Sequence, residues 1–314
     1  MNTLSVSTYS VREQLGPVDF TFTDPSGRDV QISFPFTKEL DLSDFPARAR
    51  SAFGVDAVET VAFQFTGPDD PELDRFAEQL RAADVRLVNV AIDAGDLLEP
   101  DGEKRAADIA AIERWIDRFA AMGASFVRVN PGSPMVQHDG DDLPGYLVAA
   151  LRDLGDYAAA RGSRLLVENH GGPSSDPTWM KSLLDKVGRD RLGLLLDLGN
   201  FDALMLPTMA LLFGGADGAP VDAEQVFAGL DLTSLYEGIE ELAPRAELVH
   251  VKAHSVGDDG TVGPVDLERA LGILASHGYD GPLTVEYEGT GGDPWAKSAR
   301  VLEVAAAAVD GAAR

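Results

Sequence analysis

Cysteine is absent from this chain, which excludes a disulfide framework, a thiolate zinc site and a cysteine nucleophile together. Positive charge is scarce: 26 Lys and Arg stand against 52 Asp and Glu, for a formal net charge of -26. A surface this negative repels phosphate backbones and anionic lipid, so no nucleic-acid or membrane partner is expected. Lysine occurs only at Lys38, Lys104, Lys181, Lys186, Lys252 and Lys297. Histidine numbers only five. No run approaches the roughly 18 apolar residues needed to cross a bilayer. The opening Met1-Asn2-Thr3-Leu4-Ser5-Val6 lacks the basic-then-apolar pattern of a secretory signal. The expectation is a cytoplasmic protein with a sizeable core, since 45% of its 314 residues are hydrophobic.

What is present is alternation. Apolar or strand-like runs occur at 4–10, 58–65, 86–93, 125–132, 164–172, 192–201, 247–254 and 281–289. Amphipathic stretches separate them at 71–83, 103–122, 146–161, 177–187, 235–243, 267–277 and 294–309. Leu73, Phe76, Ala77 and Leu80 carry the i, i+3, i+4, i+7 spacing of a one-sided helix. Strand then helix, eight times over, predicts an α/β protein: a single (β/α)₈ TIM barrel occupying 1–314 as one domain. A doubly wound open sheet is disfavoured, because no G-x-G-x-x-G follows the first strand.

Two insertions interrupt the pattern. In 17–36, the alternating arms 18–23 and 30–34 flank Asp24-Pro25-Ser26-Gly27, turn chemistry that predicts a β-hairpin after strand 1. This hairpin is expected above the barrel mouth or against a second subunit. After strand 6, residues 202–232 form a long connection containing the apolar 203–213. A helix packed at the mouth, or in a homo-oligomer contact, is expected there.

Chemistry concentrates where strands end. Leu165-Leu166-Val167-Glu168-Asn169-His170-Gly171-Gly172 begins apolar, turns to charge and imidazole, and closes on paired glycines. Alternate side chains of a strand share a face, so Glu168 and His170 are expected to point the same way. The same event recurs at Asp197 with Asn200, at His250, Lys252 and His254, and at Glu286 with Glu288. Earlier strands add Asn89 and Asp93, then Arg128 and Asn130. In such a barrel the C-terminal ends of the strands build the active site. Buried charges there need partners or a metal, and four strands supply Glu168, Asp197, His250 and Glu286 to one divalent ion. Three carboxylates and one imidazole favour Mn²⁺ first, then Mg²⁺ or Co²⁺, over a structural zinc. Each position also has a plainer role: Asp197 as the cap of the next turn, Glu286 as a partner of Arg128 or Lys252.

Glu168-Asn169-His170-Gly171-Gly172-Pro173-Ser174-Ser175-Asp176-Pro177 resembles a segment of the sugar phosphate isomerase/epimerase family, whose fold is the xylose isomerase-like TIM barrel. Asp197-Leu198-Gly199-Asn200-Phe201, His250-Val251-Lys252-Ala253, Val285-Glu286-Tyr287-Glu288-Gly289 and Arg128-Val129-Asn130-Pro131-Gly132-Ser133 resemble further family blocks. The resemblance implies that Glu168, Asp197, His250 and Glu286 are metal ligands. It also implies that Glu168 and Glu286 flank a carbohydrate substrate as proton acceptor and donor. His170, Lys252, His254, Asn200, Arg128, Asn130 and Glu288 are then expected to contact that substrate. One departure is that related epimerases often carry His two or three residues after the Asp, where this chain has Gly199 and Asn200. The implied activity is a metal-dependent isomerisation or epimerisation by proton abstraction alpha to a carbonyl, through an enediolate. A lyase using the same deprotonation, followed by expulsion of a beta substituent from a 3-oxo sugar or inositol, is the alternative. A three-zinc nuclease on the same barrel is disfavoured by five His and the negative charge. A catalytically dead sugar-binding protein is disfavoured by the intact Glu168 and Glu286.

Overall fold

A computed structural model describes residues 2–23, 29–132, 143–213 and 223–312. Eight parallel strands close into a barrel: β1 (Leu4–Ser7), β4 (Ala57–Val61), β5 (Arg86–Ile92), β6 (Phe126–Val129), β7 (Arg164–Glu168), β8 (Gly193–Asp197), β9 (Ala246–Ala253) and β12 (Leu283–Tyr287). Each falls within or within one residue of an expected strand, and the ends are shorter because turns begin early. Ser7, for example, accepts from the Tyr9 N–H and starts a 3₁₀ turn over Thr8–Gln14.

The helices α2 (Pro71–Ala83), α3 (Gly102–Ala121), α4 (Gly145–Ala159), α5 (Pro177–Val187), α8 (Thr233–Leu242), α9 (Leu267–Ser276) and α10 (Pro294–Ala312) match the amphipathic stretches. Several start on aspartate caps: Asp70, Asp101, Asp176 and Asp266 each accept from backbone N–H groups of the first turn. The sequence pattern did not delimit α1 (Phe45–Phe53), whose short FPARARSAF segment carries one proline and two arginines. Gly54, at φ 70, ends it in the left-handed conformation.

Alternation sorts the strand residues into two layers. Val58, Leu165, Val167, Leu194, Leu196, Val249 and Val251 join the large cluster between strands and helices. Ala57, Val88, Leu166, Leu195 and Leu248 form a separate small cluster inside the barrel. Two residues further along, the same inward faces carry Glu59, Glu168, Asp197 and His250. Two bulges adjust this register. Val88 is an extra residue opposite β4, and Glu247 is an extra residue opposite β8. Glu247 is held by Arg164 at 2.6 Å.

The first insertion forms the expected hairpin: β2 (Val18–Thr23) pairs antiparallel with β3 (Asp29–Phe34) from Val18↔Phe34 to Thr23↔Asp29. Its expected turn, 24–27, lies outside the described residues, as does Ser133 of the 128–133 block. The second insertion contains α6 (Asp202–Phe213) and α7 (Ala223–Phe227). A small pairing of β10 (Ser255–Val256) with β11 (Val262–Gly263) follows β9 and was not expected from the sequence. Among the described residues no helix is long and apolar enough to cross a membrane.

The barrel closes between its first and last units, and Trp295 of α10 marks that seam. Its ring lies 5.2 Å from Phe53 and 5.6 Å from Phe45, while its Nε1–H donates to Gln14 Oε1 at 2.8 Å. Trp295→Ala should therefore destabilise the protein by about 3–5 kcal/mol in urea unfolding. A loss below about 1 kcal/mol would show that the seam does not depend on this ring.

Candidate metal centre and active site

His250 lies at the middle of the inward-facing polar layer, fully surrounded by acid. Its Nδ1 is 3.3 Å from Asp197 Oδ2, 3.5 Å from Glu286 Oε2 and 3.6 Å from Glu168 Oε1. Its Nε2 is 2.8 Å from Glu59 Oε1. Strands β7, β8 and β12 thus deliver three of the four expected side chains to one nitrogen of the fourth, on β9. A fifth, Glu59 from β4, comes with them and was missed in the sequence. Its signal was there, because a lone carboxylate in Val58-Glu59-Thr60-Val61 needs a buried partner.

Backbone and amides fix the ligand-bearing oxygens. Asp197 Oδ1 accepts from the N–H groups of Gly199 and Asn200 at 2.7 and 3.0 Å. Its other oxygen, Oδ2, faces His250, so this residue caps the turn and serves the site at once. The Asn169 side chain bridges to β8, accepting from Asp197 N–H at 2.8 Å and donating to Asp197 O at 2.9 Å. Asn200 Nδ2 donates to Glu168 Oε1 at 3.2 Å. Gly199 leaves no room for a side chain: a Cβ there would lie 2.6 Å from Lys252 Cγ. The histidine that relatives place after the Asp cannot occupy Gly199 without moving the lysine stem.

Two cations are built into the walls. Arg128 is ion-paired with Asp93, donates to Asn130 Oδ1 at 2.9 Å, and places Nε 2.8 Å from Glu168 Oε2. That last approach lies off the N–H direction, so it is an ion pair without a hydrogen bond. Burial opposes ionisation of Glu168, but Arg128 and His170 outweigh it and hold the carboxyl well below its usual range. Lys252 Nζ donates to Glu286 Oε2 at 2.6 Å and Glu288 Oε1 at 2.8 Å, and lies 3.1 Å from Asp197 Oδ2. Glu286 therefore has its plainer lysine partner as well as its place beside His250. Burial disfavours the Lys252 ammonium, yet Asp197, Glu286 and Glu288 raise it well above the usual lysine value. It is a fixed cation and no base. Burial likewise opposes a charged His250, and Glu59, Glu286, Asp197 and Glu168 hold it well above the usual imidazole value.

The donor set suits a divalent cation. Five buried acids, Glu59, Glu168, Asp197, Glu286 and Glu288, crowd one histidine and one lysine. Buried Glu168 Oε2 and Glu59 Oε2 have no hydrogen-bond donor among the described residues. Hard oxygen ligands with one imidazole match Mn²⁺, Mg²⁺ or Co²⁺.

The remaining expected contacts divide. His170 is half-buried, its backbone N–H donating to Ser174 Oγ at 2.8 Å and its Nδ1 unpartnered among the described residues. His254 is buried beneath the second insertion, its Nε2 3.2 Å from Thr208 Oγ1 of α6 and its ring 5.3 Å from Phe227 of α7. Burial pushes His254 down to about 4 against the attraction of Glu288, with Lys252 reinforcing the shift. Between its unfolded value near 6.5 and about 4, the unfolded chain binds a proton that the native protein does not. Stability must then fall as pH drops through that window, by up to about 3 kcal/mol at 1.36 kcal/mol per unit. In urea titrations His254→Gln should lose correspondingly less stability than wild type between those pH values. Parallel curves for the two proteins would refute the assignment.

The model of the xylose isomerase-like TIM barrel family matches residues 46–305. No curated protein matches the chain in sequence. Among solved structures, an L-ribulose 3-epimerase is similar at a TM-score of 0.66 and 16% identity, covering 100% of this chain and 96% of that one. A D-allulose 3-epimerase from Methylomonas sp. is similar at 0.63 and 15%, covering 98% of each chain. A xylose isomerase-like TIM barrel protein from Mycobacterium smegmatis, in complex with magnesium, is similar at 0.60 and 16%, covering 98% of each. With the closed barrel and a family match across most of its length, this chain belongs to the xylose isomerase-like TIM barrel family.

Proposed function

We propose that this protein is a divalent-metal-dependent sugar isomerase or epimerase, the whole chain forming one catalytic domain. The observation that carries the reading is the convergence of Glu168, Asp197 and Glu286 on His250 Nδ1, all within 3.3–3.6 Å. The sugar epimerases among the structural neighbours favour the same chemistry. A cation held by these four residues, with Mn²⁺ the first candidate, would supply a Lewis acid for negative charge developing on a carbonyl oxygen.

The protein's own groups then have distinct tasks. Glu168 and Glu286 stand on strands separated by β8 and β9, so they approach the mouth from different sides. One carboxylate takes the proton alpha to the carbonyl, and the C–H electrons move into the enediolate. The other passes a proton drawn from solvent to the opposite side of that carbon and completes the exchange. Lys252, held as an ammonium on the mouth side of His250, keeps Glu286 and Glu288 oriented. Asn200 and Arg128 keep Glu168 oriented.

An uncharged sugar fits better than a phosphorylated one. Among the described residues, Arg128 and Lys252 are already matched by carboxylates. Arg12 donates to the carbonyls of Tyr287, Glu288 and Gly289. A phosphate dianion would meet acid at this mouth, with Arg128 and Lys252 already engaged by carboxylates.

Incubation of Mn²⁺-loaded protein with free ketoses in D₂O is the test. Deuterium should enter at the carbon alpha to the carbonyl without elimination, while loss of a leaving group would instead indicate a lyase. Metal-saturated Glu168→Gln and Glu286→Gln should each remain about 10²–10⁴-fold slow, the usual contribution of a general acid or base. Asp197→Asn should recover substantially at high Mn²⁺. Full rescue of both Gln variants by metal would remove the glutamates from proton transfer.

A further inference from the structure

Two acidic groups compete for His250. The set Glu168, Asp197 and His250 places ligand atoms close enough for one ion, and so does Glu59, His250 and Glu286. An imidazole offers one nitrogen to a metal and donates its other N–H elsewhere, so the two sets imply different tautomers. We infer that Glu59 is no ligand but a positioning residue: it accepts a hydrogen bond from the Nε2–H of His250 and so leaves the Nδ1 lone pair facing the position a metal would occupy. This rests on the single-ion reading proposed above.

The number of carboxylates facing each nitrogen separates the two arrangements. Around an ion with bonds of about 2.0–2.3 Å, neighbouring ligand atoms lie roughly 2.8–3.8 Å apart. The three carboxylate oxygens sit at 3.3, 3.5 and 3.6 Å from Nδ1. Glu59 Oε1 sits at 2.8 Å from Nε2, which is a direct hydrogen bond. On Nδ1 the carboxylates come from β7, β8 and β12, so an ion there closes a ring of three strand ends. On Nε2 there is one carboxylate, already in contact.

Glu59 is also placed to hold this bond rigidly. It lies within β4, is fully buried, and is registered between Ser7 of β1 and Asn89 of β5. On the other side of β4, strands β1 and β12 separate it from β9, so the Glu59 carboxylate meets the His250 ring across two intervening strands. Its second oxygen, Oε2, has no hydrogen-bond donor among the described residues. The His250 N–H is therefore its compensating contact. A neutral His250 that carried its proton on Nδ1 would leave Glu59 facing a lone pair, an unfavourable buried arrangement. The carboxylate thus selects the Nε2–H tautomer, and with it the nitrogen that faces the other acids.

Calorimetric titration of metal-free protein with Mn²⁺, comparing wild type with E59Q, E59L and D197N, tests this role. E59L, which cannot accept the proton, should bind Mn²⁺ about 10–100-fold more weakly. E59Q retains an acceptor oxygen and should lose less than about tenfold, since a neutral acceptor is weaker than a charged one. D197N should lose the most. A ¹⁵N spectrum of Mg²⁺-loaded wild type should show the His250 proton on Nε2, a readout that needs no variant to fold. A proton on Nδ1, wild-type affinity in E59L, or an E59Q defect as deep as that of D197N would each overturn the proposal. The last outcome would make Glu59 a ligand. Wild-type protein that takes up no divalent ion would instead defeat the single-ion reading itself, and this inference with it.

Discussion

Concentrated negative charge inside a closed barrel is the constraint on which the rest of this structure depends. Five carboxylates share a water-poor layer in which an unpaired charge costs several kcal/mol or more. Three devices offset them: Arg128 on one wall, His250 in the middle, and Lys252 one pleat above it toward the mouth. Each is tied to more than one acid, so no carboxylate can relax without disturbing a neighbour. A divalent cation held as proposed would complete that balance.

The fold positions this charge by simple means. Inward alternation puts small apolar residues, Ala57, Leu166, Leu195 and Leu248, one pleat below the acids and closes the floor of the site. The bulges at Val88 and Glu247 then set which residues of β5 and β9 face inward. Above the floor, Asp197 divides its two oxygens between the turn that follows it and the site. Turn geometry and ligand geometry are thus one object at β8, and Gly199 is confined to glycine by the Lys252 stem packed against it.

Much of this was legible in the sequence, because buried parallel strands interrupted by charge are an unusual pattern. The eight strands, the hairpin arms and the set Glu168, Asp197, His250 and Glu286 all follow from period-two spacing and abrupt strand ends. Glu59 lies inside β4 and not at its exit, so the pattern of abrupt strand ends does not mark it. Asp93, Arg128 and Asn130 form one ion-paired wall, a grouping that depends on the pairing register of β5 with β6 and so is invisible to spacing alone. The helix α1 was missed for want of periodicity in a nine-residue segment. The packing of Thr208 of α6 and Phe227 of α7 against His254 is a long-range contact that no local pattern specifies.

Anomalous diffraction from crystals of the protein grown with Mn²⁺ tests the central claim most directly. The account predicts one peak inside the barrel mouth, within about 2.0–2.4 Å of His250 Nδ1 and of oxygens from Glu168, Asp197 and Glu286. Glu59 should stay on Nε2, outside the coordination sphere. A peak coordinated by Glu59 and Nε2, or full Mn²⁺ exposure with no peak at these residues, would contradict it.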